Sequence, residues 1–267
     1  MELIELQYWQ LALASVLVLL LAGCSWWVRL GFGRSLVIAA VRTTIQLSLI
    51  GLVLEALFSV GALGWVALMG VAMVILAGRE VMMRQRRRLR GGWAFGIGTS
   101  AMFVSAFTIA VMTLLIVIRP DPWYQPQYAI PLLGMMLGNT MNGIALSLDR
   151  LTDTVWRQRE DIEGRLMLGQ RWQDAISDIR REAMRSGMIP TINMMAAAGL
   201  VSLPGMMTGQ ILAGSPPALA VKYQILLMFT IAAGTGFGTM LAVTAGSYRL
   251  FDQRQRLRTD RITNPTH

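Results

Sequence analysis

Inside the long apolar stretches of this sequence, a few polar side chains have types and spacings suited to handling a solute. Arg42 and Gln46 stand four residues apart and share one face of any helix that carries them. Asn139 and Asn142, three apart, share a face farther along, and Asn193 and Gln210 stand in a later stretch. Glu55 is the carboxylate found within an apolar stretch. An arginine in lipid is costly unless it faces protein or water, so Arg42 reads either as a path residue or as a side chain snorkelling to the headgroups. Amides bond across helices, so the asparagines serve packing as readily as passage.

Bond-making chemistry has little to work with. The one histidine is His267, which excludes histidine-based catalysis or a histidine-ligated metal within the apolar stretches, and no catalytic residue is assigned. Cys24 is the single cysteine, so no internal disulfide or cysteine-rich metal site forms. The one lysine, Lys222, follows Ala-Val and belongs to no phosphate-binding loop, so the chain is expected to bind no nucleotide cofactor itself. Gly234-Thr-Gly-Phe-Gly238 lacks the strand-turn-helix setting of a dinucleotide loop and reads as helix packing. Nineteen methionines, several paired, suit a soft-metal path but more readily fill apolar interfaces. The metal ligands, if any, stay unknown.

These side chains need elements to position them. The chain has 267 residues, 54% hydrophobic and 15% charged, an apolar excess that calls for lipid as solvent. Five uncharged runs, and two less clean ones of which 36–58 is interrupted by Arg42, predict seven membrane spans at about 7–28, 36–58, 62–78, 93–118, 127–148, 187–213 and 221–248. The expected fold is all-α, one polytopic transmembrane helix bundle covering 1–267. Leu21-Ala22-Gly23-Cys24 resembles a lipoprotein cleavage box, but Glu2 and Glu5 stand where a secretory signal carries basic residues. An uncleaved first span is expected.

All but one of the 24 basic residues are arginine, and they cluster between spans: Arg79–Arg90, Arg150–Arg185 and Arg249–Arg261. Such bias marks cytoplasmic loops and predicts an outside N-terminus and an inside C-terminus, with only Arg119 and Lys222 toward the outside. The net charge of +9 is therefore a topology and lipid signal, not a nucleic-acid surface. Between the fifth and sixth spans lies a polar insert, 149–185, whose apolar positions have helical spacing with a break near Gly169. It reads as two amphipathic helices joined at Leu168-Gly169-Gln170, lying on the membrane or docking a partner. The tail, 249–267, reads as polar and frayed.

The run Ser186–Val221 is uncharged over about 54 Å of straight helix, too long for a ~30 Å core. Two crossings would send the tail arginines outside, so a single span broken near Pro204-Gly205 is expected. Unwound backbone there must be covered by protein or line a cavity. Arg42, Gln46, Glu55, Asn139, Asn142, Asn193, Pro204 and Gly205 are thus the candidates for a translocation path.

Glu163-Gly-Arg-Leu-Met-Leu-Gly169, followed by Arg171-Trp172 and later by Ile189-Pro190, resembles the coupling loop of ABC transporter permeases, with Gly164 and Arg165 replacing its usual alanines. Arg42-Thr-Thr-Ile-Gln46-Leu, Pro131-Leu-Leu-Gly-Met-Met-Leu-Gly-Asn139 and Gly199-Leu-Val-Ser-Leu-Pro-Gly-Met-Met-Thr-Gly209 resemble the Fet-type permease family. That family comprises membrane subunits of ABC transporters, described in bacteria as iron exporters. Plant relatives are linked to aluminium tolerance and nucleotide-sugar transport. The resemblance implies a homodimeric permease in the bacterial inner membrane, with a separate ABC ATPase subunit holding ATP-Mg. Glu163, Gly169, Arg171 and Trp172 would then couple to the ATPase. The residues alone leave open a self-contained ion channel or secondary transporter.

Overall fold

A computed structural model describes residues 7–263. These residues form helices and no strand, and six helices are long and apolar enough to cross a membrane. Two compact units divide the chain: Met1–Ala62 with Leu212–Gly214, and Leu63–Ile211 with Ser215–His267.

The first unit is a helical hairpin. α1 (Tyr8–Trp27) and α2 (Gly33–Val60) carry apolar residues on every face, the pattern of helices whose solvent is lipid. They meet where Gly33 lies against α1; a Cβ there would come within 2.9 Å of the Ala22 carbonyl oxygen, beside the buried Ser25.

The second unit is built around α6 (Pro126–Arg157), which packs on α3 (Leu63–Arg84), α9 (Ser177–Ala197) and α11 (Pro217–Leu250). Its buried positions Leu133, Met136, Leu137, Thr140, Gly143, Ile144, Ser147, Leu148, Leu151 and Val155 recur every three or four residues, so one face stays inward along its length. The fourth apolar run forms one rod, Trp93–Ile118, from α4 (Trp93–Met102) and α5 (Thr108–Met112) with π-helical turns at Phe103–Phe107 and Thr113–Ile118. Buried hydroxyls bond back to their own helix: Ser105 to Ala101, Ser147 to Ile144 and Ser247 to Val243. This satisfies them without a cross-helix partner.

Small residues let two helix backbones come close where α9 crosses α6. A Cβ on Gly187 of α9 would come within 2.6 Å of the Gly143 carbonyl oxygen on α6. Four pairs of glycines stand four apart in the sequence, Gly92/Gly96, Gly134/Gly138, Gly205/Gly209 and Gly234/Gly238, and of these Gly234 and Gly238 both face close neighbours. Gly92, Gly96, Gly205 and Gly209 face open space, so spacing alone does not make a packing face.

Several helices outrun their apolar stretch. α3 continues past Gly78 to Arg84, and α6 runs 32 residues, about 48 Å, carrying the first part of the insert as its own extension. The insert is therefore not a pair of separate helices. It comprises the end of α6, then α7 (Arg159–Met167), α8 (Trp172–Ala175) and the start of α9, with the expected joint at Gly169 kept. Each backbone N–H finds its partner four residues back whether the side chains face lipid or water, so helix bonding need not stop where the apolar run does.

The sixth expected span is two helices. α9 carries Pro190 in its interior and ends at Ala197; α10 (Gly205–Leu212) follows after a bonded turn. In that turn the Gly199 N–H donates to the Ser202 carbonyl and the Ser202 N–H to the Ala197 carbonyl. Pro204 opens α10, its carbonyl accepting the Thr208 N–H at 3.0 Å. A helix start is where a residue without an N–H costs least.

The tail departs from expectation up to residue 263; 264–267 lie outside the described residues. Residues 251–263 fold back rather than fray: Phe251 pairs with Leu257, Leu89 pairs with Ile262, and all four side chains are buried. The Arg90 N–H donates to the Arg261 carbonyl at 2.7 Å, and the Thr263 N–H to the Arg88 carbonyl at 2.9 Å. Three well-spaced apolar residues and a short antiparallel pairing are enough to hold a segment that reads as polar.

Candidate functional site

One end of the second unit gathers four segments: the α3–α4 connection, the end of α6, the α7–α8 turn and the tail. α7 begins with Glu160 and Asp161 and has Arg165 in its last turn, each sign matching the helix dipole. It ends in a Schellman turn, with the Gln170 N–H donating to the Arg165 carbonyl at 3.1 Å and the Gly169 N–H to the Leu166 carbonyl at 3.0 Å. Gly169 has φ +86°, a left-handed conformation a side chain would strain. The Arg165 guanidinium closes the turn onto the Ala175 carbonyl at 3.1 Å.

Trp172 seats this turn. It is buried, stacked on Phe251 at 5.1 Å and edge-on to Tyr248 at 5.0 Å, while its backbone N–H donates to Gln255 Oε1 at 3.0 Å. Trp172 thus holds the turn from inside. The residues offered outward are Met167 and Leu168, 82% and 85% exposed, flanked by the exposed Glu163 and Arg171. Two large apolar side chains on a braced, charge-flanked tip can fill a partner's groove with little ordering cost. Met167 and Leu168 stand within the coupling-loop resemblance, yet residue type alone gives no sign that they face out and Trp172 in.

The base beneath the turn is charged and cross-linked. Asp149 accepts the Arg86 N–H at 2.7 Å, and Thr152 donates its hydroxyl to the Arg87 carbonyl at 2.6 Å. Asp153 takes Arg157 at 2.9 Å and Arg87 at 3.5 Å, and Arg87 lies over the Trp156 ring at 4.7 Å. In the tail, the Arg258 guanidinium grips Asp260 through two bonds of 2.9 Å. These bonds hold the Asp260 carboxyl at about 2 and raise Arg258. Asp252 is lowered by the backbone N–H of Arg256, assisted by that of Arg254.

The in-span candidates fall in two sets, one in each unit. Arg42, Gln46 and Glu55 all stand on α2, and Arg42 and Gln46 line a shallow groove with Ile38 and Ile45. Glu55 lies nine residues beyond Gln46, two and a half turns on, so it faces the other side of the helix. Asn139 donates to its own helix at the Met135 carbonyl, 2.8 Å away. Asn142 accepts from Arg84 of α3, which also pairs with Glu80 at 3.9 Å. Glu80 and Arg84 escaped the sequence reading because it ended the third span at 78. Asn193 is exposed on α9, and Pro204 and Gly205 mark the start of α10. Among the described residues, no group of three His, Cys, Asp or Glu side chains could hold a metal ion.

An all-α fold with six membrane-length apolar helices, and a charged end carrying a braced turn, define a multi-pass membrane protein. The family described as "Uncharacterised protein family (UPF0014)" matches residues 8–251, and the chain belongs to it. It is 40% identical over 260 residues to UPF0014 membrane protein slr1647 of Synechocystis, covering 96% of this chain and 98% of that one. Identity to UPF0014 membrane protein YjkA of Bacillus subtilis is 32%, over 95% and 99% of the two chains. With Escherichia coli FetB, named a probable iron export permease protein, it is 31% over 92% and 93%. No solved structure matches.

Proposed function

We propose that this chain is the membrane-spanning permease subunit of an ABC transporter, working as a homodimer in the bacterial inner membrane. It would export iron or a related metal or small solute, with ATP-Mg bound and hydrolysed on a separate ATPase subunit. The observation that carries the reading is the α7–α8 turn: a rigid tip presenting Met167 and Leu168 outward, anchored by Trp172 to the end of α11. A push on that tip reaches a membrane helix through a ring stack rather than through a slack loop. The name of the Escherichia coli relative supports export and iron, iron here being cargo rather than a resident cofactor.

Co-expression with a candidate ABC ATPase subunit tests it. The two subunits co-purify, and M167D/L168D abolishes co-purification and transport while leaving the permease folded in detergent. If the wild-type chain binds no ATPase and still moves solute in vesicles, it is a self-contained channel or secondary transporter and the reading fails.

A further inference from the structure

Beside the ring stack that seats Trp172 lies an open concavity of about 550 Å³ at the end of α11. Its lining includes Arg249, Arg254, Arg256 and Arg261 against one carboxylate, Asp252, with Tyr248 on the wall. Two of the arginines are fixed by the protein. Arg261 donates to the carbonyls of Arg249 and Phe251 at 2.8 and 3.2 Å, and Arg249 lies over the Trp93 ring at 4.3 Å. Asp252 is turned to the backbone, accepting the N–H groups of Arg254 and Arg256 at 2.9 Å each. The nearby Asp260 is occupied by Arg258. Among the described residues, the guanidinium groups of Arg254 and Arg256 make no hydrogen bond or ion pair of 4 Å or less. Asp252 feels the charge of Arg256 but is not bonded to its guanidinium, and forks of planar donors without a bonded carboxylate suit a phosphate.

Height along the helix says which phosphate. Arg249 is the first charged residue after Lys222, and the uncharged stretch Tyr223–Tyr248 between them rises about 39 Å, a little more than the ~30 Å core. The concavity therefore lies at headgroup level. Tyr248 and Trp93, both exposed beside it, are the aromatic types that sit in that layer. We infer that this concavity binds the phosphate of an anionic phospholipid headgroup, with the exposed Arg254 and Arg256 as its donors and Arg249 and Arg261 as its fixed wall. The inference does not rest on the transport reading.

The test uses the full chain in nanodiscs of phosphatidylcholine with a minority of phosphatidylglycerol, then counts retained lipid by native mass spectrometry. The wild-type chain keeps phosphatidylglycerol in preference to phosphatidylcholine. R254Q/R256Q lowers that retention about 30-fold, taking roughly 1 kcal/mol for each arginine near a lipid surface. Both side chains are exposed, so the fold survives the change. R157Q/R181Q removes the same charge elsewhere on the polar insert and leaves retention within a factor of about two, as rim charges do. Equal losses in the two variants would reduce the site to general attraction and overturn it. So would unchanged retention in R254Q/R256Q. Displacement of the lipid by millimolar inorganic phosphate would assign the concavity to a soluble phosphate instead.

Discussion

Trp172 shows how a buried side chain can fix the direction of an exposed turn. Its ring is buried between Phe251 and Tyr248, and its backbone is pinned by Gln255, so it fixes where Met167 and Leu168 point. W172A empties that seat and is expected to cost about 3 kcal/mol of stability, the range for removing a buried aromatic. W172F keeps one stacked ring and most of the stability. Thermal unfolding in detergent separates the two, and limited proteolysis shows W172A cut first near Gly169. L168D, by contrast, alters an exposed tip and leaves the melting temperature within a degree or two. A melting curve for W172A that overlays the wild type would show that the turn is held by something else. Trp172, Gly169, Glu163 and Arg171 can be picked from the sequence by their resemblance to a coupling loop. Which of them faces outward cannot, because that depends on Phe251 and Gln255, about 80 residues away along the chain.

At the scale of elements, apolar runs locate the membrane helices but not where they end. Run lengths report lipid, whereas helix ends report backbone bonding, so α3, α6 and α9 extend into charged sequence that contains no Gly or Pro to stop them. The turn at Gly169 can be read from the sequence because it needs a residue type; the Gly143–Gly187 crossing cannot, because it needs two helices. G187A forces a methyl against the Gly143 carbonyl and is expected to destabilise by roughly 1–3 kcal/mol, against near-neutral G209A, whose added Cβ meets nothing. Thermal unfolding in detergent ranks the two. The tail makes a pH-dependent element. Asp260 is held at about 2 by Arg258, below the ordinary carboxylate range near 4, so its contribution is present above pH 4 and is lost as the pH falls toward 2. Hydrogen exchange of the Arg90 and Thr263 amides, which bond across the tail, should quicken over that window. In D260N they exchange faster already at neutral pH, and the added acid response over that window shrinks. An identical acid response in D260N would remove Asp260 from the latch.

For the whole molecule, the decisive question is which end of the second unit faces the cytoplasm. The α3–α4 connection, the α6 extension, the α7–α8 turn and the tail are joined by direct bonds, so their arginines all lie at one end. The start of α3 lies with Trp123 and Tyr124 at the other, close after Arg119. Charge is thus divided along α11 itself, with Lys222 near its first residues and Arg249 to Arg261 at and beyond its last. Short loops rich in arginine stay on the cytoplasmic side during insertion, so the end carrying Trp172 is expected to face inward and the start of α11 outward. Single cysteines in a C24S background measure this directly. Ser215→Cys, just before α11, should react with a membrane-impermeant maleimide in intact cells, and Gln253→Cys only after permeabilisation. Reaction of both from one side would mean that α11 does not cross. The reverse pattern would put the Met167-Leu168 tip where no cytoplasmic ATPase can reach it, and the proposed coupling would fall with the orientation.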